Sequence, residues 1–170
     1  MKSRNVSEVY RKDMHSKRSD PYLDDKQHPE PTICTQCGII YHKGMWWDDF
    51  DRQQLPKDKE LYRVVCPACR RIMDKNPAGY LYVTDSEFVR GHEKEIEHLI
   101  SNEAVQAKSE HPLQRIMTWE KLSPKWEITT TSDHLAVRLG KALNSAFKGD
   151  FEIKFADDQK LTRVYWERKS

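Results

Sequence analysis

Two stretches, CTQCGIIYHKGMWW at residues 34–47 and VVCPACRR at residues 64–71, decide the fold of the first half of this chain. Each contains two cysteines separated by two residues, and together they hold all four cysteines of the sequence. A Cys-x2-Cys turn presents both sulfurs to one ion, and two such turns complete a tetrahedral set of thiolate ligands. The spacing therefore predicts one structural Zn²⁺, held by Cys34, Cys37, Cys66 and Cys69.

The residues around the two cysteine pairs fit such a site. Gly38 directly follows Cys37, at a position where a knuckle turn often needs a positive φ. Four cations near the cysteines in sequence are expected to offset the charge of four thiolates on one divalent ion: Lys43, Arg63, Arg70 and Arg71. A closed four-thiolate set leaves no ligand position for water or substrate, so the predicted role of the ion is structural.

Residues 66–69, Cys-Pro-Ala-Cys, also have the form found in thiol oxidoreductases, which is the alternative interpretation. That chemistry needs a thiolate of low pKa at a helix N-terminus, and in thioredoxin-like proteins a surrounding βαβ unit. The sequence around the motif predicts no parallel βαβ unit. An oxidoreductase motif would also leave the other cysteine pair unexplained. Metal binding is therefore the favoured interpretation.

Composition limits the class of protein. At 170 residues the chain is long enough for one ordinary domain with a small addition. Its mean hydropathy of -0.89 predicts that part of it is solvated. No apolar run approaches the roughly 18 residues that cross a bilayer, and the N-terminus lacks the apolar stretch of a secretory signal. These features predict a cytoplasmic protein without membrane contact, in a reducing compartment where paired cysteines more often bind metal than form disulfides.

Residues 1–31 are predicted to form a disordered basic arm. They contain few apolar side chains, and three prolines disfavour helix at the residues that precede them. Residues 1–18 carry six basic and two acidic side chains, whereas the net charge of the whole chain is only +2. A short basic arm suits a polyanion contact and equally suits a solvated tail, and the sequence leaves both open.

Residues 32–78 form the predicted four-cysteine zinc ribbon, which ends at a turn containing Pro77 and Gly79. Residues 41–47, between the cysteine pairs, combine aromatic rings that could stack on bases with basic side chains that could meet phosphate. Packing of the small domain is the other use of the two tryptophans, so one ring is expected to be buried and one exposed. The candidate nucleic-acid contacts are Lys43, Trp46, Trp47, Arg63, Arg70 and Arg71.

Residues 79–170 predict a second domain of the α+β class. Alternating and helical apolar periods indicate, in order, a strand at 80–83, a helix to about residue 108, strands at 113–119 and 126–131, a helix from Ser132 or Asp133 to Gly149, and two C-terminal strands. This order predicts a ferredoxin-like split βαβ fold with one extra C-terminal strand. Two helices would then cover one side of an antiparallel sheet.

The two Cys-x2-Cys knuckles, the first followed by Gly38, and the mixed α/β region after them resemble the adaptor family that exports the large ribosomal subunit, the nonsense-mediated decay protein three family. The chain is also similar over residues 32–167 to small uncharacterised bacterial zinc-ribbon proteins, which share the Thr-Thr-x-x-His-Leu-Ala pattern of residues 130–136. The adaptor family has more cysteine pairs and binds more than one zinc ion. The resemblance implies a ribosome or structured-RNA connection, and only the four cysteines carry over.

These observations predict a non-enzymatic zinc-binding protein that associates with RNA or the ribosome. No nucleophile and base pair, phosphate loop or paired carboxylates are recognisable, so the sequence predicts no catalytic residue. The alternative function is a protein-protein adaptor that uses Trp119, Trp126 and the acidic first helix of the second domain as its surface. A thiol oxidoreductase is a third class, and it would contain little zinc.

Overall fold

A computed structural model of the protein describes residues 20, 22, 28–156 and 161–170. The predicted basic arm, residues 1–31, lies mostly outside the described residues. Its described part is in contact with the rest of the chain, because Asp20 pairs with Arg71 and the His28 ring packs edge-on against Tyr41. No helix in the described part of the chain combines the length and apolarity needed to cross a bilayer.

The smaller of the two sheets contains the cysteine region. Its strands are β1 (Thr32–Cys34), β2 (Ile40–His42), β3 (Met45–Trp47) and β4 (Tyr62–Val64), in the order β3-β2-β1-β4. Strands β1 and β4 pair in parallel, whereas the other neighbours are antiparallel. Helix α1 (Pro67–Asp74) follows β4 after two residues. We call residues 28–78 the cysteine module; in its core, three cysteines pack with Ile39, Tyr41 and Trp46.

The larger sheet follows the element order predicted from the sequence, which confirms the α+β class. Its strands are β5 (Gly79–Thr84), β6 (Ile116–Glu120), β7 (Lys125–Thr130), β8 (Asp150–Phe155) and β9 (Thr162–Glu167). The helices are α2 (Glu87–Gly91), α3 (Glu93–Glu110) and α4 (Asp133–Phe147). Side chains at alternate positions, such as Leu81 and Val83 of β5, face the helices and are fully buried.

The prediction of an antiparallel sheet is wrong for one pair of strands, β5 and β9. The sheet order is β6-β7-β5-β9-β8, and β9 pairs in parallel with β5. The ferredoxin-like prediction places the strand after the second helix beside β5, but β9 takes that position and β8 forms the edge. Burial explains the order, because β9 buries Thr162, Val164 and Trp166 whereas no residue of β8 is fully buried. The more deeply buried strand of the β8-β9 hairpin thus occupies the interior of the sheet.

The single helix predicted to start the second domain is divided at His92. The His92 backbone leaves helical geometry at φ -126° and ψ 23°, and α3 starts at the next residue. The imidazole Nδ1 lies 2.9 Å from the Phe88 carbonyl oxygen, and its ring stacks on the Phe88 ring with centroids 4.1 Å apart. The Phe88 carbonyl thus accepts a hydrogen bond from the His92 amide at 3.1 Å and also faces the His92 imidazole, at the residue where the backbone leaves helical geometry. Ile96 and Ile100 of α3 are fully buried in the core that the helices share with the sheet.

Candidate metal centre

The first cysteine turn directly follows β1. The Gly38 amide donates a hydrogen bond to the Cys34 carbonyl at 2.9 Å, and the Cys34 amide donates to the Ile39 carbonyl at 2.9 Å. Gly38 has a φ of +81°, in the left-handed region where a side chain would be strained. The glycine predicted to permit the turn therefore does so by its backbone conformation.

The second cysteine turn is the N-terminus of α1. The Cys66 sulfur caps this helix by accepting a hydrogen bond from the Cys69 amide at 3.4 Å. Pro67 occupies the first helical turn, where a missing amide proton leaves no helix bond unmade. Because β1 and β4 run in parallel, both turns lie at the same end of the small sheet. The Cys66 amide then donates to the Cys34 sulfur at 3.2 Å and joins the two turns.

The four sulfurs form one cluster. All four Sγ atoms lie within 4.8 Å of one another, and the Cys37 and Cys66 sulfurs are 3.9 Å apart. Sulfurs bound at about 2.3 Å to a tetrahedral ion are about 3.8 Å from one another. All four cysteines are free of disulfides; Cys34, Cys66 and Cys69 are buried, and Cys37 is exposed. The cysteines predicted from the spacing are thus positioned to hold one metal ion.

Arg115, in the loop before β6, is a cation that reaches the sulfurs. Its Nη2 donates to the Cys37 sulfur at 3.1 Å and its Nη1 to the Cys69 sulfur at 3.4 Å. The Arg115 amide donates to Thr131 Oγ1 at 2.8 Å, and its carbonyl accepts from the Thr131 amide at 2.9 Å. Its Nε donates to the Pro112 carbonyl at 3.0 Å. The guanidinium is therefore held in place, where it stabilises negative charge on the sulfurs.

Of the cations predicted to offset the thiolate charge, Arg71 has another role. Its side chain is buried, donates to Asp20 at 2.5 Å and to the Asn76 carbonyl at 3.0 Å, and lies 4.3 Å from the Tyr22 ring centroid. Arg71 thus pairs with Asp20 and the Asn76 carbonyl, whereas the guanidinium that donates to the sulfurs is that of Arg115. Sequence reasoning missed Arg115 because 46 positions separate it from Cys69, and no local pattern marks a cation brought to the cluster by tertiary packing.

Hydrogen bonding within the cluster separates the pKa values of the thiols. A bond from the Cys66 thiol, with smaller contributions from the Ile39 amide and Arg115, lowers the pKa of Cys37 to about 4, although burial opposes this. The same bond and burial raise the pKa of Cys66. Of the pair Cys37 and Cys66, the thiol of lowered pKa is thus Cys37 in the first turn, whereas a Cys-Pro-x-Cys oxidoreductase needs a low-pKa thiolate at the start of α1.

The predicted nucleic-acid contacts divide between the surface and the core. Trp46 is 8% exposed and packs on Tyr41, whereas Trp47 is 37% exposed and donates its indole N–H to the His42 carbonyl at 2.8 Å. One ring is thus buried and one exposed, as expected. Arg71 is also buried. The residues that remain on the surface are Lys43, Trp47, Arg63 and Arg70.

The two tryptophans predicted to form the surface of a protein-protein adaptor pack into or against the core. Trp126 is 4% exposed and belongs to the core of the larger sheet, and Trp119 packs against the same core. The cysteine module instead carries large apolar side chains at its surface: Met45, Trp47, Tyr62, Ile72 and Met73.

The fold and the sulfur cluster define a four-cysteine module that is positioned to hold a metal ion and is joined to an α+β domain. Comparison with known proteins found no matching family model, no matching curated protein and no matching solved structure.

Proposed function

We propose that this chain is a non-enzymatic, cytoplasmic zinc-binding protein that associates with RNA or the ribosome. The single observation that carries the proposal is the convergence of four sulfurs within 4.8 Å. Tetrahedral sets of four thiolates are typical of zinc and of iron-sulfur sites, and structural zinc is the commonest use of two Cys-x2-Cys turns. Such a closed set has no position for a substrate, which supports a structural ion and a non-enzymatic role.

The surface of the cysteine module supports the RNA part of the proposal. Lys43, Arg63 and Arg70 are exposed there, together with the partly exposed ring of Trp47. Cations neutralise phosphates, and an aromatic ring stacks on an unpaired base. The resemblance of the cysteine pattern to the ribosome-export adaptor family supports the same partner.

The metal is tested on untagged protein purified without added metal. Native mass spectrometry with elemental analysis should find one zinc ion per chain, and loss of the ion should follow substitution of Cys34 and Cys66 by serine. A coloured protein containing iron, or a compact chain free of metal, would contradict the assignment of zinc.

Ribosome association is tested by gradient co-sedimentation at two salt concentrations. The wild-type protein should move with ribosomes at low salt and be released at high salt, because binding through phosphates weakens steeply with added salt. The triple variant Lys43→Ala, Arg63→Ala, Arg70→Ala should be released at lower salt. A matched control removes three exposed lysines, Lys57, Lys94 and Lys169, and should behave like wild type if position and not charge alone matters. Wild-type protein that stays at the top of the gradient at low salt would reject the proposal.

The exposed apolar side chains of the cysteine module favour a protein-protein adaptor as a second candidate. Met73 is 61% exposed and Tyr62 is 51% exposed, and large apolar side chains left exposed on one small module are candidate contacts for a protein partner. Capture of partners after nuclease treatment separates the two functions. Proteins retained by wild type and lost with Tyr62→Ala, Met73→Ala would support the adaptor, whereas loss of all partners on nuclease treatment supports RNA.

A further inference from the structure

The side of the larger sheet that faces away from α3 and α4 carries a row of three tyrosines. Tyr80 and Tyr82 lie on β5, and Tyr165 lies opposite Tyr82 on β9. The rings of Tyr80 and Tyr82 are stacked with centroids 5.9 Å apart and planes 13° apart. Those of Tyr82 and Tyr165 are 5.0 Å and 25° apart. We call these three residues the tyrosine row; it crosses two central strands of the sheet.

No helix within the described residues packs over the tyrosine row. The fully buried residues of the same strands, such as Leu81 and Val164, alternate with the tyrosines and point into the core beneath the helices. Neither core cluster of the described chain includes a tyrosine of the row. The rings contact one another and the cations of their own face instead. The three half-buried rings therefore give this side of the sheet an aromatic surface.

Three cations border the tyrosine row. Lys125 Nζ lies 4.1 Å from the Tyr82 ring centroid, Lys154 Nζ lies 5.1 Å from that of Tyr165, and the Arg163 guanidinium carbon lies 5.3 Å from that of Tyr80. Each cation comes from a different strand, so positive charge lies on several sides of the rings. Cations beside aromatic rings meet the phosphates of a strand whose bases stack on those rings.

Carboxylates share this face and limit what it can bind. Glu127 lies opposite Tyr82, and Glu152 lies opposite Tyr165. Three others occupy outward positions toward the margins: Glu120, Asp150 and Glu167. A mixed surface is a poor site for a ligand that offers phosphate alone. It suits one that also offers aromatic bases and their amino groups, since a carboxylate accepts hydrogen bonds from such groups.

From this arrangement we infer that the tyrosine row, with Lys125, Lys154 and Arg163, binds single-stranded RNA by stacking its bases. The inference rests on the proposed association with RNA and locates a contact on the α+β domain, apart from the candidates on the cysteine module. Aromatic side chains on an open sheet typically stack two or three unpaired bases. A duplex keeps its bases stacked on each other and cannot use the rings. Stacking therefore carries most of the affinity, and contacts from three cations give a shallow salt dependence, with a slope of about -2 in log K against log salt.

The test measures fluorescence anisotropy of a labelled ten-nucleotide RNA of mixed sequence, alone and annealed to its complement. Wild-type protein should prefer the single strand. Tyr82→Leu, Tyr165→Leu keeps apolar bulk without rings and should bind it at least ~10-fold more weakly. Tyr82→Phe, Tyr165→Phe keeps the rings and should stay within ~2-fold of wild type. Circular dichroism and thermal unfolding check that the variants fold alike.

The outcomes separate this inference from the proposed function. Equal single-strand affinity in the leucine and phenylalanine variants, or equal affinity for duplex and single strand, overturns the stacking role of the tyrosine row. If ribosome association then still depends on Lys43, Arg63 and Arg70, the proposed function stands without it. If wild-type protein binds neither the oligonucleotide nor ribosomes, both the inference and the proposed function are rejected. The inference is also overturned if the tyrosine row captures a protein after nuclease treatment and the chain shows no affinity for RNA.

Discussion

At the scale of single residues, Arg115 is the cation that offsets negative charge on the sulfur cluster. Four thiolates around one divalent ion leave an excess of negative charge, and a guanidinium 3.1 Å from Cys37 and 3.4 Å from Cys69 stabilises it. The Arg115 backbone is held at both its amide and its carbonyl by Thr131, so the side chain starts from a defined position. The hydrogen bonds from the Arg115 guanidinium to the Cys37 and Cys69 sulfurs also connect the α+β domain to the cysteine module.

Replacement of Arg115 by alanine should weaken zinc binding about 10- to 100-fold, because partners of metal ligands commonly contribute that much to affinity. Arg115→Lys, which keeps the charge and loses the planar fork, should fall between alanine and wild type. Competition with a chromogenic chelator measures the affinity. Lys57→Ala, which removes an exposed cation of the same module that was not expected to offset the thiolate charge, is the control and should leave the zinc affinity unchanged. Identical affinities for the Arg115 and Lys57 alanine variants would show that the guanidinium does not stabilise the bound thiolates.

At the scale of elements, α4 packs closely on the sheet at a glycine. A Cβ on Gly140 would lie 2.5 Å from Val164 Cγ1 and 2.6 Å from Phe151 Cε2. Val164 is fully buried at the centre of the sheet, so it has little room to move. The distance between α4 and strands β8 and β9 is therefore set by the missing side chain.

Gly140→Ala should lower the free energy of unfolding by ~1–3 kcal/mol, the usual cost of overpacking a filled core. Gly91→Ala is the matched control, since a Cβ there meets no heavy atom within 4 Å. Alanine is the better helix former, so this control should be neutral or gain up to about 1 kcal/mol. Urea denaturation followed by circular dichroism measures both. A Gly140→Ala protein as stable as the control would mean that α4 and the sheet separate at little cost.

At the scale of the whole molecule, two cores of unequal size meet at the loop before β6. Among the residues that the structure describes, the larger core contains fifteen buried residues from the helices and the larger sheet, whereas the core of the cysteine module contains seven, three of them cysteines. Leu113 of the loop packs against the smaller core, next to Arg115. We expect a core with so few apolar groups to depend on a bound metal ion for stability.

Removal of the metal by a chelator should therefore unfold the cysteine module and leave the α+β domain folded. Hydrogen exchange followed by mass spectrometry should show lost protection in β1, β2, β4 and α1, with protection retained in β5, β7 and β9. Readdition of zinc should restore the first group. Uniform loss of protection, or none, would contradict the view that the ion stabilises one module alone.

The sequence by itself determined which four cysteines converge and the order of strands and helices in the α+β domain. These features are local: two residues between cysteines define a turn, and apolar side chains at strand or helix spacing define the element in which they lie.

Only the tertiary structure decided that Arg115 serves the sulfurs, that Arg71 and Trp46 are buried, and that β9 separates β5 from β8. It also placed Tyr165 beside Tyr82, more than eighty positions away in the chain. Periodicity shows which face a strand buries but not which strand lies next to it. The order of β8 and β9 follows instead from burial of Val164 and Trp166 at the centre of the sheet, a gain that arises only when the whole core has formed.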